Sequence, residues 1–234
     1  MSRGRRRRFV QRTLLALALA ASPPASAEPS GVIEGEVRVL TESLFGGAAA
    51  AGDPSGVVVY LTGFTRPAPP EPAQLVQRGE RFRPRILPIV AGQTVSFPNR
   101  DRIYHNVFSV SPLHPFDLGQ YRGSDPARSI DFEQPGLVPV YCNIHPRMIA
   151  YVVVLENDAF ALTDSAGRFR IPRIPPDLHA LQAWLPGAER VSREVEVRAG
   201  EVARLSLELV AGRISPHKRK DGSDYPRPGF EAER

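Results

Sequence analysis

Residues 137–155 read LVPVYCNIHPRMIAYVVVL. Both ends of that stretch read as strands, because Leu137 to Cys142 and Ile149 to Leu155 are dense in Val, Ile and Tyr, residue types that suit a pleated and largely buried surface. Between them Cys142, His145 and Met148 form the pattern C-x-x-H-x-x-M, which puts a thiol, an imidazole and a thioether on one short loop. A strand end fixes the first side chain. The two-residue gaps let a tight loop turn the other two inward around one point. A second imidazole stands at His105, just after a turn and just before the strand that starts at Asn106. If neighbouring strands bring those ends together, two nitrogens, one thiolate and a weak axial thioether make a donor set suited to copper.

That reading competes with a plainer one, in which the Cys is a small hydrophobe and each His a hydrogen-bonded structural residue. Cys142 is the only Cys in the chain, and Met148 the only Met besides Met1, so their meeting around a His on one loop favours metal. Zinc is the rival ion, since one Cys and two His make a plausible zinc set. It rarely takes a thioether, and its structural sites usually close with a further Cys or His.

Working outward, the same short strands recur. Ile86 to Val90, Thr94 to Phe97, Asn106 to Val110 and Ser129 to Phe132 are separated by turn signals at Ala91-Gly92, Asn99-Arg100-Asp101 and Pro135-Gly136, as in an antiparallel sandwich. Val32 to Leu40 alternates Ile33, Val37 and Val39 with Glu34, Glu36 and Arg38, the period of a half-buried strand. Val57 to Leu61 is a more fully buried one, and Thr65 to Pro72 an extended connector. After Asn157 a second set begins: Phe160 to Thr163, Arg168 to Ile171, His179 to Leu185, Val191 to Arg198 and Ala203 to Leu209. Residues 213–234 are polar and rich in Pro and Gly, which predicts a disordered tail.

Composition agrees with an all-β chain. Of 234 residues 42% are apolar, and 24 Pro with 19 Gly argue against long helices and coiled coils. The formal charge of +5 is misleading as a sign of nucleic-acid binding, because six Arg and no acid lie in residues 1–27. Without them 24 basic residues face 25 acidic ones. That excludes nucleic acid as an electrostatic partner of the mature chain. Residues 1–27 themselves combine a basic start, an apolar run from Leu14 to Ala21 and small residues at Ala25-Ser26-Ala27, the parts of an export signal with cleavage expected after Ala27. Arg6-Arg7-Arg8-Phe9 also fits a twin-arginine signal, so either that route or the Sec route leads to a periplasmic or secreted protein. No later segment is apolar for long enough to span a bilayer.

Thr94 to Phe97, Asn99, His105-Asn106-Val107 and Tyr141-Cys142 through Met148 resemble the cupredoxins, the plastocyanin and pseudoazurin family, over roughly residues 80–156. The resemblance implies a Greek-key β-sandwich in which His105, Cys142, His145 and Met148 hold one type 1 copper ion. It also implies that the backbone N–H of Asn106 donates to the thiolate. Asn143-Ile144 departs from the family, which commonly has Pro or Gly between Cys and His. Phe97-Pro98-Asn99-Arg100-Asp101, Phe116-Asp117-Leu118-Gly119 with Tyr121, and Cys142 to Pro146 are similar to a bacterial plastocyanin-like group labelled methylamine-utilisation proteins. Thr163-Asp164-Ser165-Ala166-Gly167-Arg168-Phe169 with Ile174-Pro175-Pro176 resembles carboxypeptidase regulatory-like domains, small transthyretin-type sandwiches. That second family opens with strands like Gly35-Glu36-Val37 and Val57 to Leu61.

The domain plan expected is therefore a signal at 1–27, strands at 28–70 that complete the second sandwich, a cupredoxin domain at 71–156, the regulatory-like sandwich at 157–212 and the tail. The alternative gives Val57 to Leu61 to the copper domain. In this plan His179 is exposed, Trp184 lies in core or interface, Asp117 caps a turn and His114 is solvated. Arg100, Arg102, Arg122, Arg128 and Arg147 ring the copper end. The expected function is one-electron transfer with an unidentified redox partner protein, not catalysis. Copper delivery is one alternative. The other is a binding module whose second sandwich recognises a protein or carbohydrate.

Overall fold

The structure is a computed structural model that describes residues 29–41 and 50–225; the expected export signal and the last nine residues of the expected tail lie outside it. Among the described residues every regular element is a strand. In chain order they are β1 (Gly31–Thr41), β2 (Ala50–Ala51), β3 (Val58–Thr62), β4 (Ala73–Gln74), β5 (Val76–Gln77), β6 (Phe82–Arg83), β7 (Ile86–Val90), β8 (Gln93–Phe97) and β9 (His105–Val110). The rest are β10 (Pro115–Tyr121), β11 (Arg128–Phe132), β12 (Gly136–Cys142), β13 (Ile149–Leu155), β14 (Phe160–Leu162), β15 (Arg168–Ile174), β16 (Asp177–Trp184), β17 (Val191–Val197) and β18 (Val202–Ala211).

One body is formed by strands that precede and follow the middle of the chain. β1 lies between β15 and β18, with β2 paired to its far end, and β3 lies between β14 and β16, with β17 beyond. The alternation in β1 sends Ile33, Val37 and Val39 into the core with Ile171, Leu181 and Leu209, each such side chain contributing about 1.5–3 kcal/mol by burial. Gly35 falls on the same inward face without a side chain. A Cβ there would collide with the Leu205 carbonyl and the Phe169 ring, so the two strands flanking β1 close over this position only because it is glycine.

The middle of the chain builds the second body. A sheet ordered β10-β9-β12-β13-β7 faces a smaller one ordered β11-β8-β4, and the core between them contains Phe97, Tyr121, Phe132, Val138, Val140, Val152 and Met148. Three of the sheets are mixed, since β1 runs parallel to β18, β7 to β13 and β4 to β8, while the sheet ordered β14-β3-β16-β17 is antiparallel throughout. Each of the parallel pairs joins strands far apart in sequence, which no local turn signal reveals.

Three expectations are corrected. His179 is buried, because it shares the inward parity of Leu181 and Ala183; the Pro175 carbonyl satisfies its Nε2 at 2.8 Å and its ring meets Phe64 edge-on. β10 was not expected, since Pro115, Asp117 and Gly119 interrupt its pattern. It pairs with β9 through an irregularity between Asp117 and Gln120, where Gly119 has a φ of 66°. Finally, residues 214–225 are not a free tail: they return across the molecule to the Cys142 loop, held by side-chain hydrogen bonds and aromatic stacking. Trp184 lies between the bodies, edge-on to Tyr151 at 5.6 Å.

Candidate metal centre

The centre sits at the end of the β9/β12/β13 sheet. β9 and β12 pair through Val107 and Cys142, so His105, two residues before Val107, comes beside the start of the loop that follows Cys142. That loop folds back tightly. Cys142 N–H donates to the Met148 carbonyl (3.1 Å), Met148 N–H to the His145 carbonyl (3.1 Å), and Asn143 N–H to the Asn106 carbonyl (3.0 Å). Continuing the β12/β13 ladder to the Cys142–Met148 pair leaves the intervening residues no course but a closed turn.

The result brings three donors together. Nδ1 of His105 and Nδ1 of His145 are 3.0 Å apart, and the Cys142 Sγ lies 3.9 Å from the first and 3.6 Å from the second. Three atoms each about 2.0–2.3 Å from one ion have separations of this size. His105 and Cys142 are fully buried and His145 half-buried, so the site opens to solvent on the His145 side. Met148 is fully buried on the same loop. Asn106 uses its side-chain amide on Asp117 (2.6 Å), while its backbone N–H, with those of Ile144 and His145, points at the Cys142 sulfur.

Asp101 completes the arrangement. Its Oδ2 lies 2.8 Å from His105 Nε2, so the carboxylate accepts a proton carried there and orients the ring with Nδ1 toward the sulfur. Gly79 and Glu80 donate backbone N–H groups to the same carboxylate (2.8 and 3.1 Å). Asn99 builds the turn that presents it: its Oδ1 accepts from Asp101 N–H, and its amide donates to the carbonyls of Ile103 and Tyr121. In the sequence Asn99-Arg100-Asp101 reads as a turn and as part of a family resemblance, with no role for Asp101 itself. The available signal was an acid four residues ahead of a candidate ligand, close enough in chain to reach its far nitrogen.

Electrostatics prepare the thiol for a cation. Burial pushes Cys142 up, but the His105 ring and the three backbone N–H groups outweigh it and hold the thiol below its ordinary value. Burial also opposes a charged His105, yet the Cys142 sulfur and Asp101 raise its pKa. His145 is lowered by burial and by its neighbour His105.

The other candidates lie elsewhere. His114 Nε2 is bonded to the Gln134 carbonyl at 2.9 Å. Asp117 accepts the Gly119 N–H, as a turn cap does, and also reaches Asn106 and Lys220. Of the expected ring of arginines, Arg147 lines a cleft beside His145 and Pro146, Arg122 lies over Tyr104, and Arg128 lies over the Tyr121 ring. That cleft, about 710 Å³, is also lined by Arg81, Arg83 and Arg85, which the sequence reading passed over because they belong to the distant β6 region.

No protein-family model matches the chain, and no curated protein matches it. Solved structures do. A purple cupredoxin from Nitrosopumilus maritimus is 26% identical over 35% of this chain and 98% of its own, with a TM-score of 0.32. A reduced amicyanin variant is 21% identical over 41% of this chain and 97% of its own, at 0.34. The copper-containing nitrite reductase of Thermus scotoductus SA-01 is 25% identical over 42% of this chain but only 25% of its own length, at 0.35. The chain is thus similar, over part of its length, to solved cupredoxins.

Proposed function

We propose that this chain is an exported one-electron carrier with a single type 1 copper site, which His105 Nδ1, Cys142 Sγ, His145 Nδ1 and the Met148 thioether would hold. The observation that carries this reading is the convergence of two imidazole nitrogens and a thiol held below its usual pKa at separations of 3.0–3.9 Å. Two imidazoles, a thiolate and a thioether are the donor set of blue copper, and the bound ion supplies a one-electron couple. The chain's own residues do the rest. Asp101 and the closed Cys142 loop hold the donors so that little rearrangement accompanies a change of charge. The backbone N–H groups of Asn106, Ile144 and His145 withdraw electron density from the sulfur.

His145 is the half-exposed donor and hence the route by which an electron leaves. Exposed Ile144 beside it, Ile103 and Tyr104 ahead of His105, and the arginine cleft suit an acidic redox partner docking at this end. The body made of β1–β3 and β14–β18 is, on this reading, the transthyretin-type sandwich, with the copper body inserted between its halves.

The test is the visible spectrum of the copper-loaded mature protein. An intense thiolate-to-copper absorption that bleaches reversibly on reduction, and that is lost in Cys142→Ser, supports the carrier. Met148→Leu, close in volume, should keep the fold and alter the band; an unchanged band removes Met148 from the ligand set. A colourless protein that gives up copper to a modest chelator instead indicates delivery.

A further inference from the structure

The last described segment of the chain lies against the ligand loop. After β18 it turns at Gly212, whose N–H donates to the Gly187 carbonyl, and passes over to the other body. There His217 stacks on Tyr141, ring centroids 4.5 Å apart and planes 24° from parallel. Lys220 N–H donates to the Asn143 side chain (2.9 Å), and its ammonium meets Asp117 at 2.7 Å. Tyr225 donates its hydroxyl to the Cys142 carbonyl (2.5 Å). A turn of its own shapes the segment: Gly222 N–H donates to the Arg219 carbonyl, Arg219 N–H to the Ser223 carbonyl, and Asp221 accepts the Ser223 N–H.

These contacts fall on one small part of the protein. Tyr141, Cys142 and Asn143 are consecutive, and Asp117 is the carboxylate whose other oxygen holds Asn106. Asn106 and Asn143 each follow a donor residue directly, and their backbones are bonded to each other. The segment therefore grips the residue after each of the two buried donors, directly at Asn143 and through Asp117 at Asn106. The Cys142 carbonyl, at the end of β12, has the Tyr225 hydroxyl as a partner that only a returning chain supplies.

We propose that residues 217–225 are a strap that positions the Cys142 loop, with Tyr225 and Lys220 as its positioning residues. The strap closes the Tyr141 side of the centre and leaves the His145 side open. It rests on the copper reading only where the loaded protein is used, so the first test uses metal-free protein.

Three forms are compared: the full chain, a chain ending at Ser215 and a chain ending at Tyr225. The strap predicts that loss of 216–234 speeds both Cys142 modification by a disulfide reagent and amide exchange at Asn143 to Met148 by about tenfold or more, as expected when several local hydrogen bonds are removed. The chain ending at Tyr225 should match the full chain. Tyr225→Phe and Lys220→Met, which guard against a truncation that misfolds, should each give an increase of about threefold to fivefold. Copper-loaded Tyr225→Phe should also lose metal to a chelator faster than the full chain and show a displaced absorption maximum. Thiol and exchange rates within twofold of the full chain in every variant would overturn the strap and leave the copper site standing. A full chain that takes up no copper while these rates still rise would overturn the copper reading and leave the strap.

Discussion

At the scale of single residues, the centre depends on a side chain outside its donor set, Asp101. Asp101 accepts a proton held on His105 Nε2 and so orients the ring, and without it nothing anchors the far nitrogen. Asp101→Ala should therefore weaken copper binding by about 10–100-fold, measured by competition with a chelator of known affinity. A change under threefold would mean that packing alone orients the ring. The donors themselves were readable in the sequence because sulfur and imidazole are scarce, so their spacing on one loop stands out. Asp101 was not readable, since carboxylates are common in turns and only the folded path of residues 99–105 aims this one at an imidazole. His179 was misread for the opposite reason: a polar residue on a strand is read as outward unless its carbonyl partner, here from Pro175, is known.

At the scale of elements, strands with strict alternation or dense Val and Ile content were legible almost to their ends, as Ile86–Val90 and Ile149–Leu155 show. β10 was hidden because its irregularity breaks the period of two. Its last residue, Tyr121, nevertheless ties three elements together. The hydroxyl donates to the Phe97 carbonyl in β8 (2.7 Å) and accepts from the Gln77 amide in β5 (2.5 Å), all in full burial. Burial pushes its pKa from 10.0 up to about 12. The protonated form is the one the fold favours, so its contribution is complete below pH 10 and is lost as pH rises from 10 toward about 12. Tyr121→Phe should cost about 1–3 kcal/mol at pH 7 by stranding buried partners. It should also flatten the fall in stability between pH 10 and about 12, read from urea unfolding of the metal-free protein. Tyr60, Tyr141, Tyr151 and Tyr225 are raised too, so the slope shrinks without vanishing; an unchanged slope would count against the role of this hydroxyl.

At the scale of the molecule, two strands were read correctly as continuous apolar runs without the reason being visible. In β13, Ala150, Val152 and Val154 face the core of the body that carries Cys142, while Tyr151, Val153 and Leu155 face away from it. In β3, Val59 and Leu61 face the core of the other body, while Val58 and Tyr60 face away. The two outward sets meet, with Ile86, Phe160 and Trp184 around them, in a third buried cluster between the bodies. Each strand is thus buried on both faces, which is why neither alternates. A shared apolar cluster of this kind makes the bodies unfold together, because opening either exposes the hydrophobic face of the other. Trp184, the only Trp, reports on that cluster, and the Cys142 thiol reports on the far end of its own body. In urea, Trp184 emission and thiol exposure of the metal-free protein should change in one coincident transition. Leu155→Ala should shift both by the same amount, about 2–5 kcal/mol for a buried leucine truncated at a site that does not collapse. Two separated midpoints, or a Leu155→Ala shift seen by only one probe, would show that the bodies are stable independently and that the cluster between them joins them weakly.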